Sequence, residues 1–75
     1  MERYRDISAS SGVVAYEIGP DFIDVKFRNG GTYRYDSTKP GDIHLARMKE
    51  HAIAGKGLGT YISQHVRGNY ARKLP

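Results

Sequence analysis

Apolar and polar residues alternate with a period of two through the first half of the chain, then with a helical period through the second. "VVAYEI" (13–18) reads as a strand. "FIDVKF" (22–27) sets Ile23, Val25 and Phe27 on one side and Asp24 and Lys26 on the other, and "TYRYD" (32–36) is a third strand. The clusters "GPD" (19–21) and "RNGG" (28–31) supply the turns between them. In "KPGDIHLARMKEHAIAG" (39–55), Leu45, Met48 and Ala52 share one side of a helix, flanked by His44, while Ile43 and Ile53 lie off that stripe. Pro40 suits the start of this helix, Asp42 its first turn and Gly55 its stop. Past a glycine-rich link, "GKGLG" (55–59), the stretch "TYISQHVRGNY" (60–70) sets Ile62, Val66 and Tyr70 along a second short helix, with Tyr61 and His65 beside them. "ARKLP" (71–75) reads as a mobile basic tail, and the first few residues are a candidate edge strand.

Parity selects a strand register, because residues directly opposite in an antiparallel pair share a face. A two-residue turn at Asn29-Gly30 sets Thr32 opposite Phe27 and Arg34 opposite Val25, which mixes core with surface. A three-residue loop at 29–31 pairs Phe27 with Tyr33, Val25 with Tyr35 and Lys26 with Arg34, with Gly31 taking the left-handed position. The second register keeps the faces pure and is preferred. The same rule pairs Ile18 with Ile23, Tyr16 with Val25 and Val14 with Phe27. One face then carries Val14, Tyr16, Ile18, Ile23, Val25, Phe27, Tyr33 and Tyr35. The other carries Val13, Ala15, Glu17, Asp24, Lys26, Arg28, Thr32, Arg34 and Asp36. A bare hairpin sheet is marginal in water, so a helix must cover the apolar face. The predicted fold is α+β: a three-stranded antiparallel β-meander packed by one α-helix, with a second short C-terminal helix. It is a single domain over residues 1–75, with an ordered core from about 8 to 70.

Composition narrows the function classes. At 75 residues the core is thin, and with no cysteine neither a disulfide nor a thiolate zinc site supports it. No apolar run approaches the roughly 20 residues of a membrane span. "MERYRDISAS" has no apolar stretch of the secretory kind, so a cytoplasmic protein with no membrane partner is expected. Net charge is +4, unevenly spread: residues 1–43 hold six Lys/Arg against seven Asp/Glu, and residues 44–75 hold six against one. Such a second half suits a polyanion, or is simply a solvated surface.

Most chemical motifs are incomplete. "GKGLGT" (55–60) lacks the Lys-Ser/Thr pair that a phosphate-binding loop carries after its last glycine, and reads as a link whose amides could hold one phosphate at most. His44, Met48 and His51 share helical spacing, but two of them flank the apolar stripe, so no metal site is assigned. Glu17, Asp24 and Asp36 form one row under the preferred register, which costs about 0.2–1 kcal/mol per like-charged pair. Lys26 and Arg34 relieve the row, a divalent cation occupies it, or the register fails at the strand ends. There is no cysteine nucleophile, no G-x-S-x-G and no H-E-x-x-H, so neither an enzyme nor a cofactor is expected.

Three stretches resemble the KTSC family, a short domain named for the C-terminal segment of some lysyl-tRNA synthetases and also found as stand-alone small bacterial and phage proteins. They are "FIDVKFRNGGTYRYD" with its Tyr33-Arg34-Tyr35, the Pro40 and Ile43 that open the helix, and "GTYISQHVRGNY" at the end. Ser63 stands where the family has asparagine, and His44 where an aromatic is common. The resemblance implies a small sheet-plus-helix fold and an RNA-binding role. The expected function is therefore a small non-enzymatic module that binds RNA or single-stranded nucleic acid. Lys26, Arg28, Arg34, Lys56 and Arg67 are its candidate phosphate contacts, and Tyr61 and Tyr70 its candidate stacking residues. The alternative is a protein-interaction module, such as a phage-encoded inhibitor or accessory subunit, using a free sheet edge or leftover apolar residues such as Ile53 and Leu58.

Overall fold

The computed structural model describes residues 1–6 and 12–75; the expected start of the ordered core, at residue 8, lies outside them. The alternating stretches form β2 (Val13–Ile18), β3 (Phe22–Phe27) and β4 (Gly31–Asp36). Two short strands flank them: β1 (Glu2–Arg3) and β5 (Arg72–Leu74). Together they make one antiparallel sheet of five strands in chain order. The α+β class therefore holds, with five strands in place of three. The candidate edge strand at the N-terminus is present as β1. The residues expected as a free basic tail instead pair with β4, Thr32 opposite Leu74 and Arg34 opposite Arg72.

Helix α1 (Asp42–Ala54) starts later than the pattern suggests, because Pro40 is engaged in a bridge with Asp36 and Gly41 forms the N-cap. It stops as expected at Gly55, which is left-handed (φ 78°) and donates to the carbonyls of His51 and Ala52. A single turn, α2 (Leu58–Tyr61), continues as a π-helical turn over Ile62–Val66. Leu45, Met48 and Ala52 are buried, as their spacing indicates, with Ile62 and Val66. Leu58 is not a leftover apolar residue: it is fully buried at the start of α2. Ile23, Val25 and Tyr35 complete the core from the sheet, joined by Tyr4 and Val13.

Two registers differ from expectation. Val13, not Val14, faces Phe27, because a bulge at Val14 shifts the strand; Val13 is buried and Val14 half-buried. Between β3 and β4 the pairing slides by two residues: Phe27 faces Gly31, Val25 faces Tyr33, Ile23 faces Tyr35 and Asp24 faces Arg34. A shift of two keeps every side chain on its face, which is why parity cannot detect it. Its gain is electrostatic. Asp24 meets a guanidinium where the expected register gives it Asp36, and Asp36 falls opposite Phe22. The acidic row is thus broken after Glu17 and Asp24.

Residues far apart in the chain fasten the layers. The Leu58 amide donates to the Tyr4 hydroxyl at 3.1 Å. The Arg5 guanidinium donates to the carbonyls of Ile53 and Ala54 at 2.8 and 3.0 Å, closing the C-terminus of α1. Lys49 reaches from α1 to the Gly19 carbonyl at 2.9 Å.

Candidate nucleic-acid interface

With the helices packed on one side of the sheet, the other side is open among the described residues, and the strand registers decide what it presents. One row across it runs Arg3, Ala15, Lys26, Thr32, Leu74. The next runs Glu17, Asp24, Arg34, Arg72. Arg3, Lys26 and Arg72 are exposed, and Arg28 lies exposed in the loop after β3. Arg3 and Arg28 line one hollow at the β1–β2 edge.

Arg34 differs from these. Its Nε and a terminal nitrogen donate to the two carboxylate oxygens of Asp24 at 2.7 and 2.9 Å, and its guanidinium carbon sits 4.0 Å from the centre of the Phe22 ring. Asp24 is only 4% exposed. The hydrogen bond to Asp24 raises the Arg34 pKa above its already high ordinary value. Of the acids on this face, Asp24 is neutralised by Arg34, and Asp36 accepts from the amides of Thr38 and Lys39. Glu17, opposite Asp24, is exposed.

The other predicted residues lie in the helical layer. Lys56 is exposed in the link before α2, and its carbonyl is 3.2 Å from His51 Nδ1. Tyr61 is half-buried among the three histidines: its hydroxyl lies 2.7 Å from His44 Nδ1, and its ring centre lies 4.5 Å from that of His65 and 5.3 Å from that of His51. Among the described residues, no group of three or more His, Cys, Asp or Glu is arranged to hold a metal.

Arg67 and Tyr70 line a groove of about 320 Å³ between β4 and the π-helical turn, with Phe27, Tyr33 and Tyr35. Tyr33 and Tyr70 meet edge to face with ring centres 4.6 Å apart, and Lys73 Nζ is 5.7 Å from the Tyr33 ring centre. Tyr35 is 3% exposed, and burial, reinforced by Tyr33 and Tyr70, pushes its pKa up to about 12.

Arg28 lies in the loop after β3, and the open face carries Lys26 and Arg34 together with two residues outside the pattern, Arg3 and Arg72. Alternation misses these two because each lies on a strand of two or three residues, too short for a period to show. Lys56, Arg67, Tyr61 and Tyr70 do not join that face. Among the described residues no helix is long and apolar enough to cross a membrane. Compared with protein-family models, curated proteins and solved structures, the chain matches none.

Proposed function

We propose that the protein is a small non-enzymatic nucleic-acid-binding module of the KTSC kind, cytoplasmic, whose open sheet face tracks a phosphate backbone. The observation that supports this reading is the sharing of one face by Arg3, Lys26 and Arg72 beside the Asp24-paired Arg34, with Glu17 exposed on that face and Asp21 exposed near Arg34. Among the described residues the face carries one aromatic, Phe22, and Arg34 covers it. Binding is therefore electrostatic rather than by base stacking on the sheet, and steeply salt-dependent. Preference for RNA rests on the family resemblance alone.

Fluorescence anisotropy with labelled single-stranded RNA, single-stranded DNA and duplex, at low and near-physiological salt, tests this. The logarithm of affinity falls linearly with that of salt. Replacing Lys26 and Arg72 together with Gln flattens the slope on a single strand by about 0.7 for each phosphate no longer neutralised. No binding at low salt overturns the reading.

A second reading, a protein-interaction module, is favoured by one observation. Ile43 and Ile53 on α1 are 78% and 62% exposed. Isoleucine is an indifferent helix former, so neither the core nor helix propensity accounts for them. Self-association that persists in high salt and requires both residues supports it.

A further inference from the structure

The groove beside Tyr70 lies on the helical side of the sheet, away from the basic face, and it has the chemistry of a site in its own right. We infer that it takes one nucleotide unit, an aromatic base against Tyr33 and Tyr70 with its phosphate at Arg67. This rests on the nucleic-acid reading for its biological source but on separate residues for its geometry.

The groove exists because the chain turns away at the end of the π-helical turn. Arg67 is extended (φ −56°, ψ 124°) and Gly68 is left-handed (φ 77°), so Tyr70 returns to pack on β4 and leaves a gap beside it. At about 320 Å³ it matches the small end of ligand sites, about 300–1,000 Å³. Its walls are aromatic: Phe27, Tyr33, Tyr35 and Tyr70. Among the described residues, no acid lines it. The charged residue in its lining is Arg67, which has no ion pair or hydrogen bond with another described residue, and Lys73 stands over the neighbouring Tyr33 ring. The Tyr35 hydroxyl, although its side chain is buried, also has no hydrogen-bond partner among the described residues. Flat π-rich walls, with a hydroxyl and a guanidinium that have no partner among the described residues, select a planar aromatic group that carries an anion. A base with its phosphate meets all three, whereas an aromatic peptide side chain supplies the ring without the anion.

Titration of the full chain followed by amide NMR, with adenosine monophosphate, adenosine, inorganic phosphate and a short single-stranded RNA as probes, tests this. The monophosphate is expected to shift the amides of Gly59, Ser63, Gly68 and Tyr70, with adenosine roughly tenfold weaker and phosphate alone moving none of them. Arg67→Gln, at an exposed side chain, removes the tenfold advantage and leaves adenosine unchanged. Shifts in the groove from the monophosphate but no affinity for RNA assign the site to free nucleotides and reject the sheet-face reading. RNA binding that requires Lys26 and Arg72 but leaves the groove amides still rejects the groove and keeps the sheet. Failure of every probe to move the groove amides, or equal binding by Arg67→Gln, overturns the inference.

Discussion

Asp24 and Arg34 stand directly opposite each other on β3 and β4, and the guanidinium closes on both carboxylate oxygens at 2.7 and 2.9 Å. The carboxylate is almost fully buried, so the pair holds the register: a slide of two residues puts Asp36 opposite Asp24 instead. Arg34 is committed within the sheet, which changes what its removal does.

Arg34→Ala leaves a buried carboxylate unpaired and is expected to lower Tm by roughly 5–15 °C. Arg34→Lys keeps the charge but loses the two-pronged hydrogen bonding, and costs less. Neither changes the salt slope of nucleic-acid binding as much as Lys26→Gln or Arg72→Gln. Thermal unfolding beside anisotropy separates the two roles. An Arg34→Ala variant with unchanged Tm and a flattened slope makes Arg34 a phosphate ligand and not a register lock.

Which residues are legible in the pattern follows from the range of the forces involved. The alternation of Ile23, Val25 and Phe27 identifies a buried face, because burial acts on each residue separately. Register depends on pairs, and faces of equal parity look alike after a slide of two, so only the Asp24–Arg34 pairing distinguishes them. Leu58 sits between glycines with too short a helix to show a period, yet Tyr4, more than fifty residues earlier, accepts its amide. Of the groove, charge and aromaticity single out Arg67 and Tyr70. Alternation assigns Phe27 and Tyr33 wholly to the core, since the gap that half-exposes them comes from the chain reversal at Gly68.

Gly55 illustrates a similar long-range constraint. Its φ of 78° already disfavours a side chain, and a Cβ there lies 2.8 Å from Arg5 Nε and 2.9 Å from Arg5 Cβ. Gly55→Ala is expected to cost about 1–2 kcal/mol in urea unfolding. Arg5→Gly removes the two capping bonds at Ile53 and Ala54 but also both close contacts, since glycine carries no Cβ. The double variant is therefore less destabilised than the sum of the singles. Strict additivity removes the steric part of the argument and leaves only backbone strain.

The exposed face of α1 makes a separate prediction. Ile43, Ala46, Glu50 and Ile53 recur at intervals of three and four, the spacing by which one helix meets another, and all are exposed. Sedimentation at high protein concentration and high salt is expected to show self-association. Ile43→Ser with Ile53→Ser abolishes it while changing stability by no more than about 0.5 kcal/mol, since both side chains are already in solvent. A monomer at every concentration removes self-association from the interaction reading.

Tyr35 sets the alkaline limit of the fold. Its pKa is about 12 in the folded chain against 10.0 for the ordinary side chain, and burial is the main cause. The folded state therefore holds the phenol proton through a range in which the unfolded chain has released it. That contribution to stability is complete below pH 10 and is lost as pH rises from 10 to 12. Tyr4 adds to the same trend, since its burial also raises its pKa. Chemical unfolding at successive pH values is expected to show stability declining over this window, and Tyr35→Phe to make the decline shallower. Tyrosinate absorbance supplies the second readout. The ionisation of Tyr35 is expected to coincide with loss of the folded signal. A Tyr35→Phe variant whose stability falls as steeply as that of the parent assigns the alkaline limit to another group.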